Sequence, residues 1–162
     1  MHGSHSVGHP TQWEGNVSRN ARRASAVDAP GDNLRQPGVR VGTDLCSAHD
    51  VAESVEHFGD RYLRRIYTDE ELEYCASDPQ LSAERLAARF AAKEATVKVL
   101  RPTGARPDWR SIEVRRDPGG WCEITLTGLA AELAREADIS SLAVSLSHDN
   151  GLANAVVVAT IS

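Results

Sequence analysis

From Val39 onward the apolar and polar positions fall into short, distinct rhythms. Val39, Val41, Thr43 and Leu45 alternate with Arg40, Gly42 and Asp44, the period of two that predicts a strand and puts Gly42 and Asp44 on one face. Val51, Val55 and Phe58 recur at helical spacing, and Gly59 ends that helix as a left-handed cap residue does. Asp60 caps a further turn from Arg61 to Ile66. Thr68 and Glu71 have capping-box spacing and open a short helix towards Cys75, which Asp78-Pro79 breaks. Ser82 starts the longest helix, predicted to run to about Leu100 before Pro102.

The second half changes rhythm. Ile112 and Val114, then Cys122, Ile124 and Leu126, predict two strands joined through the Asp117-Pro118-Gly119-Gly120 turn. Residues 128–137 predict a helix with Leu129 and Leu133 inside. Leu142, Val144, Leu146 and His148 alternate with Ala143, Ser145 and Ser147, and a nearly uniform apolar strand follows over 152–161, joined across Asp149-Asn150-Gly151. Helices early and hairpin strands late predict an α+β fold, a long central helix packed on a small antiparallel sheet.

Residues 1–38 carry His2, His5, His9, three prolines and no apolar periodicity, so they are read as a flexible, disordered leader ahead of one domain over 39–162. The three leader histidines suit loose metal binding or a plain tail. A formal net charge of -5 opposes a polyphosphate partner, so no nucleic acid is expected. Cys46, Cys75 and Cys122 are odd in number and widely spaced, which argues against a disulfide framework or structural zinc and for a reducing cytoplasmic setting. No apolar run approaches the ~20 residues that span a bilayer, so no membrane role is expected.

The chemistry lies on the long helix and the first strand. Leu86, Phe90 and Val97 form an apolar stripe, with Ala87, Ala91, Glu94 and Lys98 along its edge. An acid at the rim of a buried face needs neutralising, and a divalent cation shared with Asp44 does so. Lys98, one turn beyond Glu94, is placed to meet a phosphate held by the same ion. A Glu94–Lys98 surface pair is the alternative that spacing alone allows.

Four segments in order, Val41-Gly-Thr-Asp44, Thr68-Asp-Glu-Glu-Leu-Glu-Tyr-Cys75, Arg89-Phe-Ala-Ala-Lys-Glu-Ala-Thr-Val-Lys98 and Val144-Ser-Leu-Ser-His148, resemble the 4'-phosphopantetheinyl transferases of the holo-acyl-carrier-protein synthase type. The likeness runs from Val39 to Ala159. It implies transfer of 4'-phosphopantetheine from coenzyme A to a serine of an apo acyl carrier protein or carrier domain, with release of adenosine 3',5'-bisphosphate. It also implies Mg2+ and a homotrimer with sites at subunit interfaces.

Carried over residue by residue, Asp44 and Glu94 hold the metal, Glu94 is the candidate base, and Lys98 neutralises the leaving phosphate. Lys93 is either a second charge for the coenzyme or a solvated helix lysine. Arg89 resembles the contact to the coenzyme's 3'-phosphate, against the alternative of an exposed helix arginine. His148 is placed near the nucleotide, or is an ordinary half-buried strand residue. Thr103-Gly104 resembles a nucleotide-side loop, or is only a turn. Ser147, His148 and Asp149 are no hydrolytic triad, because consecutive strand residues point to opposite faces.

The chain departs from the family's pattern in three places. Asp50 stands where an arginine commonly docks the carrier, Ser47 where a glutamate is usual, and Trp121 where a Gly-Pro pair would continue. Arg61, Arg64 and Arg65 lie along one side of a helical turn and are candidates to take over carrier docking, or form a solvated face. The Asp50 reversal motivates a carrier from specialised polyketide, peptide or fatty-acid metabolism. The competing readings are a non-catalytic binding or assembly protein on the same scaffold and a magnesium-dependent nucleotide hydrolase. No Gly-rich phosphate loop supports the last.

Overall fold

A computed structural model describes residues 38–162. The predicted leader falls outside the described residues apart from Gly38, which opens the first strand. In chain order the elements are β1 (Gly38–Ser47), α1 (Ala48–Phe58), α2 (Asp60–Ile66), α3 (Asp69–Ala76), α4 (Ser82–Leu100), β2 (Ile112–Arg116), β3 (Cys122–Leu126), α5 (Gly128–Glu136), β4 (Ile139–Asp149) and β5 (Leu152–Ile161). The strands form two antiparallel sheets, a three-stranded one ordered β1-β5-β4 and a β2-β3 hairpin.

The α+β architecture matches the sequence pattern, with α4 as the axis on which everything packs. Alanine explains how: Ala91, Ala92 and Ala95 let α4 lie close on Ala155, Val157 and Ala159 of β5. Around the rest of the helix, Leu86, Ala87 and Ala88 join the α1–α3 core, while Val97 and Leu100 pack with Ile112, Ala130 and Ala134. Burial therefore extends nearly all round α4 rather than along one stripe, and Phe90 is only half-buried. In α5 the innermost residues are Ala130 and Ala134, whereas Leu129 and Leu133 sit at the margin.

β1 inverts the usual arrangement. Its apolar set faces outward, with Val39, Val41 and Leu45 each more than 60% exposed, while Arg40, Gly42 and Asp44 face α4. Gly42 makes this possible. A Cβ there would stand 2.1 Å from the carbonyl oxygen of Ala95, so only glycine lets the strand touch the helix backbone. The Arg40 guanidinium completes the contact by donating to Val99 O at 3.2 Å.

Helices α1 and α3 start on side-chain caps, whereas Asp60, expected to cap the next turn, is itself the first residue of α2 behind Gly59, and α4 starts behind Leu81 with no side-chain cap. Ser47 caps α1 by accepting from Asp50 N at 3.2 Å, which gives the unusual serine a local role. Asp50 lies in the first turn, where a carboxylate complements the helix dipole. Thr68 and Glu71 form the expected capping box on α3.

Candidate functional site

β1 and α4 bring Asp44 and Lys98 together: Lys98 Nζ donates to Asp44 Oδ1 at 2.8 Å and to Thr43 O at 2.6 Å. The carboxylate is about four-fifths covered and the ammonium half exposed, so the pair sits at a mouth rather than in the core. Asn154 of β5 pins the strand by donating to Asp44 O at 3.0 Å. Glu94, one turn before Lys98, is half-buried and makes no hydrogen bond or ion pair among the described residues. Its charge, like that of Asp44, reaches Cys46, the next residue on that face of β1. Burial, then Asp44, Asp50 and Glu94, push that thiol up to about 11.

The alternative Glu94–Lys98 pair is not formed, because Lys98 turns to Asp44. Two hard carboxylates from facing elements, one without a partner among the described residues, fit a magnesium ion, which favours few carboxylates. No group of three or more metal-ligating side chains occurs among the described residues.

Lys93 is placed differently from both sequence expectations. It is fully buried, so it is not a solvated lysine, and its ammonium is committed to Glu71 Oε2 at 2.8 Å, Trp109 O at 2.9 Å and Ile112 O. With three donors on three acceptors, no proton is left for a coenzyme phosphate. Glu71 in turn accepts from Thr68 N at 2.9 Å and Val114 N at 3.0 Å, tying α3, α4 and β2 together. Desolvation pulls the Lys93 ammonium down, opposed by Glu71.

Arg89 is no exposed helix arginine either. Only 3% exposed, its guanidinium lies 4.2 Å from the Tyr74 ring centre, and Arg85 lies 4.8 Å from the same ring. Nη1 donates to Arg85 O at 3.3 Å, but the buried Nε has no partner. Both arginines line a cleft of about 580 Å³ with Arg116, Trp121 and His148. His148 Nδ1 meets Glu84 Oε2 at 3.1 Å across the cleft wall, and Trp121 folds back over Gly119 with Nε1 donating to Glu123 at 3.2 Å. Arg85 and Arg116 were not singled out in the sequence. Arg85 precedes Arg89 by one helical turn, a spacing that could have flagged it.

Thr103 and Gly104 are exposed in the loop after α4 and line neither this cleft nor the next. Of the three α2 arginines, Arg61 is exposed, and Arg64 and Arg65 line a second cleft of about 670 Å³ with Arg106, Trp109 and Arg110.

The family described as the 4'-phosphopantetheinyl transferase superfamily matches residues 40–157, a span holding Asp44, Glu94, Lys98 and both clefts. The chain belongs to this superfamily. Within it the chain is similar to a holo-[acyl-carrier-protein] synthase of Koribacter versatilis, 41% identical over 120 residues that cover 73% of this chain and 94% of the relative. Among solved phosphopantetheinyl transferase structures, the acyl carrier protein synthase of Mycobacterium tuberculosis is 35% identical with a TM-score of 0.61, covering 77% of this chain and all of that one. A complex of the Chronobacterium ammoniagenes enzyme with coenzyme A has a TM-score of 0.67 at 28% identity, covering 77% and 98%. The superfamily's holo-acyl-carrier-protein synthase type is thus the one this chain represents.

Proposed function

We propose that this chain transfers 4'-phosphopantetheine from coenzyme A to a serine hydroxyl of an apo acyl carrier protein, with Mg2+, releasing adenosine 3',5'-bisphosphate. The observation that carries this reading is Asp44 bound to Lys98 beside the unpartnered, half-buried Glu94. Asp44 and Glu94 are the residues to hold Mg2+, which supplies charge neutralisation at the diphosphate when bound. Glu94 takes the serine proton as general base. The serine oxygen then bonds to the β-phosphorus while the bond from that phosphorus to the departing nucleotide's oxygen breaks. Lys98 faces the leaving phosphate and offsets its growing charge. Arg89, with Arg85, Arg116 and His148 around the same cleft, supplies the cationic seat for the nucleotide phosphate.

The outward Val39, Val41 and Leu45, with Val156 and Val158 beside them in register, support a homotrimer in which this sheet face is covered. Three unpaired cysteines suit a reducing cytoplasm. Asp50, exposed on α1, supports a carrier from a specialised pathway rather than the general fatty-acid carrier.

The test is intact mass of a panel of apo carriers incubated with the protein, coenzyme A and Mg2+, with and without chelator. A chelator-sensitive gain of one phosphopantetheine on any carrier is the expected result. Coenzyme A binding with no transfer to any carrier would favour the assembly-protein reading instead.

A further inference from the structure

The second cleft has no role in the chemistry above. It lies between α2 and the loop after α4, and Arg64, Arg65, Arg106 and Arg110 surround it. This is a concentration of cations on a chain whose formal net charge is -5. Their counterions are few and peripheral. Arg64 meets Asp60 at 3.8 Å and Arg110 meets Asp69 at 3.4 Å, both acids being largely exposed. Arg65 and Arg106 make no hydrogen bond or ion pair among the described residues. The carboxylate within the cleft, Asp108, is turned to its own backbone and accepts from Arg110 N at 2.8 Å.

Position matters as much as charge. Trp109 walls this cleft and packs on Phe90 at 5.4 Å between ring centres. Phe90 is one helical turn before Glu94, so a body seated in the cleft is separated by the Trp109 indole from the helix that carries the proposed base. The two clefts share no lining residue, which leaves separate approaches for two substrates. Helix α1 offers no competing basic surface. It carries Asp50, Glu53 and Glu56, with His49 already against Glu53 at 3.5 Å.

We infer that the Arg64–Arg65–Arg106–Arg110 cleft, not α1, receives a carboxylate-bearing segment of the carrier protein, with Arg106 and Arg110 as its specificity-determining residues. This rests on the transferase reading for the partner's identity. The occupant is a protein segment rather than a small anion because the cationic groups are spread around about 670 Å³ and an indole forms one wall, a surface suited to several carboxylates with an apolar neighbour.

The experiment is direct binding, independent of turnover. Apo carriers with the acceptor serine changed to alanine are labelled and titrated by anisotropy against the full chain and its Arg106→Glu/Arg110→Glu variant. The expected result is a carrier Kd weakened at least tenfold with a shallower salt dependence, while coenzyme A affinity stays within twofold. Arg106→Gln alone, at an exposed residue with no partner among the described residues, keeps the test open if the double variant does not fold, and should weaken binding about threefold. Equal carrier affinity in wild type and variants overturns the inference even if transfer is observed. Failure of the wild type to bind any carrier overturns it too. Pyrophosphate binding lost in the variants, with carrier affinity unchanged, makes the cleft a small-anion site and equally overturns it. The mass assay above separately decides the transferase reading.

Discussion

Lys93 and Lys98 stand five residues apart on one helix and face opposite worlds. Lys93 is sealed inside, its ammonium divided among Glu71 and two backbone carbonyls. Lys98 is half exposed and answers to a single carboxylate, Asp44, at the mouth between β1 and α4. The distances are the same, 2.8 Å each, so the ion-pair length says nothing about role. What separates them is solvent. A pair closed off on every side holds elements together, whereas a pair open on one side has room to exchange its partner for a phosphate or a metal ion.

The largest effect that would sharpen this contrast is on the open side. Asp44→Ala or Glu94→Ala should lower transfer about a thousandfold, roughly 4 kcal/mol of barrier, with the urea midpoint nearly unchanged. Wild-type turnover in either variant would dissolve the proposed site. On the sealed side Glu71→Ala should do the reverse. It strands a buried ammonium and two backbone N–H groups, costing about 3–4 kcal/mol of stability in urea titration. A loss of less than about 1 kcal/mol would mean the pair does not tie α3 to α4.

Gly42→Ala joins the two sides, because the added methyl must push β1 off α4 at Ala95. About 2–3 kcal/mol of stability should go, together with most activity, as Asp44 is carried away from Lys98. Unaltered activity would show that the strand can shift without moving the acid. The smallest effect belongs to pH and to the sealed side. Burial is the main cause that pushes the Cys75 thiol up to about 11 from an ordinary 9.0, so the unfolded chain releases this proton first. Its contribution is full below pH 9.0 and is lost as pH rises towards about 11, about 2 kcal/mol of it by about pH 10.5. The urea midpoint should fall less between about pH 8 and about pH 10.5 in Cys75→Ala than in wild type.

Much of this was legible from period and punctuation. The capping box at Thr68, the stop before Pro102 and the hairpin turns all rest on local chemistry that the chain states within a few residues. Asp44 and Glu94 could be picked out because an acid on a strand and an acid at the edge of a helix stripe are each locally anomalous. The interior of α4 was harder. Leu86, Phe90 and Val97 define a stripe whose spacing also passes through position 93, but the reading of Lys93 as a coenzyme charge or a solvated lysine does not use that signal, and its partner Glu71 is accounted for in the sequence only as a cap. That one carboxylate serves both tasks is a tertiary fact. The arginine cleft was half visible: Arg64 and Arg65 stand on a predicted helical turn, while Arg106 and Arg110 arrive from a loop with no periodicity to read. The outward apolar face of β1 escapes pattern reading altogether, since alternation gives two faces without saying which is covered.

The meeting of Gly42 with the Ala95 carbonyl sets a length standard for the site. Because main chain rests directly on main chain there, the gap between the acid-bearing strand and the lysine-bearing helix is fixed by atoms every sequence shares, not by the sizes of neighbouring side chains. Core residues elsewhere can change volume and the helix can settle differently against the hairpin, yet the span across which a cation would be gripped stays constant. Drift in the interior and constancy at the mouth are thereby decoupled by a single missing methyl group.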